Sequence, residues 1–313
     1  MTAYILRRLV SAIAVMAMVG IFIFLLLRLA PGDPAAIIAG DKAAPQVIAA
    51  IREQLGLNEP MPVQFVHWAL NILGGDFGTS LFSGRPVLEL ISLRLEPTIS
   101  ISILTMMLSV SVGVSFGVLA AWRAGGLVDR ILTAFATLGF SVPVFVIAFF
   151  LIYFFAISTH WLPVQGYVPI DNGPGPWFVH LILPILALSL PYIAFIARVT
   201  RASMLEVLSE DYMRTAAAKG ATSYAMLFHH ALKNAGAPIL TVIGLSFAGL
   251  IGGVVITETV FNVPGIGRLV VDALNNRDYP IIQGVLILVS GLYVLINLAV
   301  DLGYTLIDPR IRY

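Results

Sequence analysis

Residues 97–122 read PTISISILTMMLSVSVGVSFGVLAAW, 26 positions without an Asp, Glu, Lys or Arg. About 20 apolar residues are enough for a helix to cross the hydrocarbon core of a bilayer. A backbone in lipid must satisfy its own polar groups, so a run of this kind is a helix. Working outward, five further charge-free runs lie at 9–27, 131–170, 172–197, 234–257 and 279–300. Each is long enough for one span. A β-barrel would show short alternating segments instead. The run at 131–170 predicts a span over residues 131–157, then a loop marked by His160, Pro163, Gly166 and Pro169. The expectation is an all-α integral membrane protein with six transmembrane helices.

Composition agrees. Of 313 residues, 59% are hydrophobic and 11% charged, with a mean hydropathy of +0.95. Ordinary globular chains carry about 25% charge. A net charge of +1 makes no case for nucleic acid. The absence of cysteine excludes disulfides and thiolate metal or redox sites. Arg7 and Arg8 precede the first apolar run, as in a secretory signal. A cleavable apolar core is usually about 7–15 residues; this run has 19, so it reads as an uncleaved first helix.

Charge sets the expected orientation. With the N-terminus inside, eleven of the 18 basic residues face the cytoplasm: Arg7, Arg8, Arg123, Arg130, Arg198, Arg201, Arg214, Lys219, Lys233, Arg310 and Arg312. The short outer loops hold Arg268 and Arg277. The other five lie in the long segment 28–96, which is largely exempt from the charge rule. Both termini are then cytoplasmic.

Four parts are expected: an N-terminal helix (1–30), an extracytoplasmic segment (31–96), a five-helix unit (97–303) and a tail (304–313). Pro31-Gly32-Asp33-Pro34 ends the first helix. Pro45 to Leu57 is helix-compatible, with Ile48, Ile51 and Leu55 at helical spacing. Gly74 to Gly78 signals a turn. Arg85 to Glu96 mixes apolar and charged residues, which suits either an interfacial helix or a packed loop helix. Gly113 and Gly117, and Gly249 and Gly253, form small-residue stripes for close helix packing; they fit general packing as well as a dimer face. Pro143 and Pro191, near Ser141 and Ser189, are places where a span can kink.

Several chemistries are absent. None of the three lysines, Lys42, Lys219 and Lys233, precedes Ser or Thr, so there is no phosphate-binding loop of the GxxxxGK[ST] kind. The five histidines include no HExxH. His229 and His230 are adjacent and point about 100° apart on a helix, which rules out one metal on one face. No charged residue sits in the middle of a span, where ion-coupled carriers usually place relays.

The polar island Ser209–Pro238, SEDYMRTAAAKGATSYAMLFHHALKNAGAP, interrupts the apolar runs. Met213, Ala216, Ala217 and Gly220 share one side of a helix, and Gly220 is a C-terminal stop. Arg214 and Lys219 add positive charge. Such an island is either a solvated loop or a compact knob for a partner's groove.

The island resembles the cytoplasmic coupling loop of ABC importer membrane subunits. Arg214-Thr215-Ala216 stands where the general pattern has Glu-Ala-Ala, Gly220 stands at its glycine, and His230-Ala231-Leu232-Lys233 at its end. The segment resembles the peptide-importer variant, except that Ala217 stands where relatives often have Arg or Lys. Further elements occur in order: Tyr4 to Arg8, Pro31 to Pro34, Gln54-Leu55-Gly56-Leu57, Gly75-Asp76-Phe77-Gly78, Arg201-Ala202-Ser203, Glu258 to Phe261, Pro264 to Gly267, Arg277 to Pro280 and Asp308-Pro309-Arg310. Together they are similar to the first permease subunit of dipeptide, oligopeptide, glutathione and nickel ABC importers.

The resemblance implies the ABC type I importer permease fold, one N-terminal helix plus a five-helix core, in a bacterial inner membrane. It implies a homologous second permease, two ATPase subunits and an extracytoplasmic substrate-binding protein as partners, besides lipid. It implies a non-catalytic chain without a cofactor of its own, since ATP and Mg belong to the partner ATPases. The coupling loop (199–235) would act through Asp211, Tyr212, Arg214, Thr215, Ala216, Lys219, Gly220, His230 and Leu232. Ser141, Pro143, Ser246, Thr257 and Glu258 are candidates for the pathway or its gate. Peptide or glutathione-like cargo is preferred over nickel, because no Cys, His or carboxylate cluster lines the spans. A stand-alone channel or carrier, and a membrane scaffold, are the alternatives.

Overall fold

The computed structural model describes residues 2–29, 35–36, 44–54 and 56–307. The elements are helical in order: α1 (Thr2–Leu29), α2 (Pro45–Gln54), α3 (Met61–Leu73), α4 (Val87–Trp122), α5 (Leu127–Ser141), α6 (Val144–Leu151), α7 (Pro174–Leu208), α8 (Asp211–Ala218), α9 (Gly236–Val260), α10 (Ile266–Asn275) and α11 (Tyr279–Ile307). A π-helical turn, Ile152–Ser158, extends α6. A second, Ala225–Ala231, leads through Leu232–Asn234 toward α9. No strand occurs among the described residues; one isolated bridge joins Thr79 and Pro86. Pro31 to Pro34, Leu55 and Asp308 to Arg310 lie outside the described residues.

Among the described residues, five helices are long and apolar enough to span a membrane: α1, α4, α7, α9 and α11. The sixth expected span, 131–157, is not a straight helix. It is the pair α5 and α6, bent by 103° at a short break. Pro143 is the cause. Proline has no N–H and disfavours helical backbone in the residue before it, and Val142 is extended at φ −90, ψ 126. Pro184 and Pro191 lie inside α7, which runs through both for 35 residues. The Arg85 to Glu96 stretch is not a separate helix either: from Val87 it forms the start of α4, which continues through Pro97.

Two compact units result. One comprises Glu96–Gly267 and residues from Leu295 on; the other comprises the described parts of Thr2–Leu95 with Arg268–Val294.

The first unit is organised around α7. Three helices pack against it where they carry glycine. A Cβ on Gly117 of α4 would lie 2.5 Å from the Thr200 Cβ and 2.7 Å from the Ala197 carbonyl; on Gly113 it would lie 2.9 Å from the Ile196 Cβ. Gly249 and Gly253 of α9 face Tyr192 and Leu188. Gly139 of α5 sits over Leu190 and Ala194. Both small-residue stripes therefore pack within this unit. Ile147 and Ala148 of α6, and Ile152 and Ala156 of the π-helical turn that extends it, are buried with Leu181, Leu188, Leu250 and Val254. Near the start of α7, the Tyr167 hydroxyl donates to Glu96 at 2.8 Å and accepts from the Trp177 indole at 3.1 Å. Burial and the Glu96 carboxylate push the Tyr167 phenol above its ordinary pKa, which keeps it a donor.

In the second unit, Phe24 of α1 packs on Phe65 and Trp68 of α3, with ring centroids 5.4 and 5.7 Å apart. Asp278, 2% exposed, stands immediately before α11. It accepts from the Ser80 hydroxyl at 2.5 Å, from the Leu81 amide at 3.1 Å and from the Phe82 amide at 3.4 Å. One carboxylate thus fixes the turn that precedes α4 in the chain.

Candidate coupling site

Two residues after α7 ends, the chain turns into α8. An isolated eight-residue helix is marginal in water, so tertiary packing must hold it. Met213, 1% exposed, does so. It packs in a cluster with Val118, Ala121, Met204, Leu227, Ala231, Ala235 and Ile239, contributed by α4, α7, the segment leading into α9 and the first turn of α9. Ala216, one turn on, is half-buried. The side that carries Met213 and Ala216 is the seat of the helix.

The opposite side is open. Asp211, Tyr212, Arg214, Thr215, Ala217, Ala218 and Lys219 are exposed. Arg214 and Asp211 pair loosely at 3.6 Å; both are so exposed that the pair adds little. The end of α8 is a Schellman cap: the Ala221 amide donates to Ala216 O at 3.1 Å, and the Gly220 amide to Ala217 O at 3.0 Å. Gly220 takes the left-handed backbone this cap requires, at φ 84, and a Cβ there would meet nothing within 4 Å. The glycine is demanded by backbone conformation, with open space beyond it.

The structure brings together most of the coupling residues expected from sequence. The Asn234 amide donates to Tyr212 Oη at 2.9 Å and to His230 O at 2.8 Å, so α8 is tied to the returning chain. Leu232 is half-buried at the edge of the Met213 cluster. Tyr224 and Phe228, with rings 4.8 Å apart, add an exposed aromatic pair. Sequence reading missed this pair, although its i, i+4 spacing in a polar island was a signal.

The pathway candidates do not converge. Ser141 is exposed at the end of α5 and bonds Thr137 O at 2.8 Å; Pro143 starts α6. Ser246 and Thr257 are buried in α9 and bond the carbonyls four residues back. Glu258, fully buried, accepts from the Thr98 hydroxyl at 2.5 Å, and Thr98 in turn accepts the Ile266 amide at 2.8 Å. Gly265 and Gly267 wrap this carboxylate closely: a Cβ on Gly265 would run into both oxygens of Glu258. Glu258 is an internal tie between α9, α4 and the start of α10. Among the described residues, no three His, Asp or Glu side chains form a metal site.

A further polar feature escaped the sequence reading. Arg201 of α7 grips Asp129 of α5 with two bonds, Nε to Oδ1 at 2.6 Å and Nη2 to Oδ2 at 2.8 Å. Asp129 is 4% exposed and also accepts from the Gly125 amide at 2.8 Å and the Thr133 hydroxyl at 3.3 Å.

Comparison with known proteins agrees with this picture. Residues 113–313 match the family described as binding-protein-dependent transport system inner membrane component, and residues 1–102 match its N-terminal companion family. The "Probable peptide ABC transporter permease protein y4tP" of Sinorhizobium fredii is 77% identical over 313 residues, covering 100% of both chains. The glutathione transport system permease protein GsiC of Salmonella typhimurium is 44% identical over 313 residues, again covering 100% of both. Among solved structures, one of the MetNI methionine ABC transporter in inward-facing conformations matches with a TM-score of 0.57 at 18% identity, over 71% of this chain and 97% of that one. That likeness speaks for the fold, which is the ABC type I importer permease fold. The chain belongs to the family of binding-protein-dependent transport system inner membrane components.

Proposed function

We propose that this protein is a permease subunit of an ATP-driven importer, that it carries peptides or glutathione-like solutes, and that α8 is where the work of ATP enters it. The observation that carries the last point is the two-sided character of α8: Met213 buries one side and the other side is exposed, with Tyr212, Arg214, Thr215 and Lys219. A short helix so seated moves with α4 and α7 when it is pushed. The chain has no phosphate-binding loop of its own, so the push comes from two ATPase subunits, one on this chain and one on a homologous second permease. A substrate-binding protein delivers cargo on the other face. Peptide cargo follows from the relatives' names, y4tP and GsiC. The charge asymmetry of the sequence supports a cytoplasmic placement for α8 and both termini.

The mechanism asks α8 to bias a two-state pathway. Moving such an equilibrium from 1:99 to 99:1 takes about 5.5 kcal/mol, which only a rigid joint delivers. Gly220 offers a clean test. Asn tolerates the left-handed backbone, so Gly220→Asn keeps the Schellman cap and adds bulk in open space. Peptide-dependent uptake should fall in vesicles that hold the whole complex, while the subunit inserts normally. Full uptake with Gly220→Asn and with Gly220→Trp would sink the assignment of this surface to an ATPase.

A further inference from the structure

The geometry points to Arg201 and Asp129 as the positioning pair that passes displacement of α8 on to the bent helix pair α5–α6, an inference that rests on the importer reading above. Arg201 lies seven residues before the end of α7, about 10 Å along the axis from the two-residue link into α8. Asp129 lies in the first turn of α5. The Asp129 carboxylate gathers three pieces of chain at once: α7 through Arg201, the α4–α5 turn through the Gly125 amide, and α5 itself through Thr133. Gly125 is at φ 77, so the turn offers its amide from a backbone shape that suits glycine.

Two features argue for transmission. First, a buried ion pair adds little stability compared with apolar residues of the same size; what a two-pronged Arg–carboxylate grip supplies is fixed geometry. Second, the pair stands beside a gap in the packing, which Arg201 lines. A cavity of about 100 Å³ separates the facing surfaces of α4, α5 and α7 and is lined by Phe116, Leu132, Thr133, Ala136, Ala197 and Arg201. The ion pair adds a directed link at the start of α5, ahead of the contacts that Gly139 makes with Ala194 and Phe140 with Phe195 farther along the same two helices. Beyond it, α5 leads to the 103° break at Pro143 and then to α6 in the core. A tilt of α7 driven from α8 thereby becomes a movement of α5 about that break.

The test uses the complete transporter in vesicles. The chain has no cysteine, so with the other subunits made cysteine-free each reporter is single: a fluorophore on Leu138→Cys, which is 65% exposed on α5, and another on Ser209→Cys at the entry to α8. Asp129→Asn removes the charge; Arg201→Lys keeps the charge but loses the fork. The expected result is unchanged ATP hydrolysis and an unchanged ATP response at Ser209→Cys. The response at Leu138→Cys should vanish, and cargo moved per ATP should drop by about tenfold or more, less with Arg201→Lys. Unchanged cargo per ATP and an unchanged Leu138→Cys response in both variants would overturn the proposal. So would parallel loss of both reporters with loss of assembly, which marks a purely structural pair. A wild-type complex that hydrolyses ATP without importing cargo would instead overturn the importer reading, and the pair's role with it.

Discussion

Met213→Ala is the substitution that most directly separates the seating of α8 from its outward contacts. Met213 is the buried residue of an eight-residue helix, and its side chain is 1% exposed. Truncating a core Met to Ala costs about 2–5 kcal/mol, combining lost burial with the cavity left behind. Because a free helix of this length does not persist, that loss falls on the docked state of α8. At about 1.4 kcal/mol per decade, it shifts the local equilibrium by roughly 30-fold to several thousand-fold. The spans do not rely on this residue, so insertion should survive. The assay is amide exchange on the purified complex, followed by uptake. Residues 211–221 should lose protection while α7 and α9 keep theirs, and uptake should fall steeply. Met213→Leu conserves volume and should cost less than about 1.5 kcal/mol, restoring both readings. If Met213→Ala leaves both exchange and uptake unchanged, the idea that α8 works as a seated joint is wrong.

Three further outcomes are expected. Gly117→Val places atoms against the backbone of α7, 2.7 Å from Ala197 O; overpacking of this kind costs about 1–3 kcal/mol or more, read as a lower thermal midpoint of the solubilised protein. Gly265→Ala drives a methyl into the Glu258 carboxylate, which Thr98 holds in place, so little folded protein should be recovered, and wild-type yield would refute the tie. Asp278→Ala leaves the Ser80 hydroxyl and the Leu81 and Phe82 amides without their acceptor, at about 1–3 kcal/mol for each group left unsatisfied, so limited proteolysis should cut near 79–86.

The sequence made the spans legible because a bilayer imposes a one-dimensional rule: apolar length decides. Pro143 was legible as a place where the span can kink, but the same rule hid how sharply it bends. Residues 144–158 are apolar on all sides, as a span is, yet Ile147, Ala148, Ile152 and Ala156 turn them into core. The short helices α3 and α10 were missed because each is held by contacts from elsewhere in the chain. Phe65 and Trp68 of α3 rest on Phe24, and Leu269 and Ala273 of α10 are buried one turn apart. Helix α8 was legible as a short helix from its Gly stop and polar setting, but which side faces inward was not. Met213, Ala216, Ala217 and Gly220 read as one side, whereas Met213 and Ala216 are the seat and Ala217 and Gly220 are exposed. The Asp129–Arg201 pair was invisible because its members lie 72 residues apart in separate runs.

The Asp278 anchor sets a timetable for biogenesis. Its partner Ser80 lies 198 residues earlier in the chain. At about 5–20 residues per second, roughly 10–40 seconds of synthesis separate the two. Throughout that interval the turn ahead of α4 has no acceptor for its hydroxyl and amides except water. The stretch Glu96–Gly267, contiguous in the chain, supplies most of one compact unit and can form as it emerges. The other unit joins the N-terminal segment to Arg268–Val294 and waits for them. A nascent chain stalled before residue 278 should therefore hold its N-terminal turn open to protease, and release of the last helix should close it.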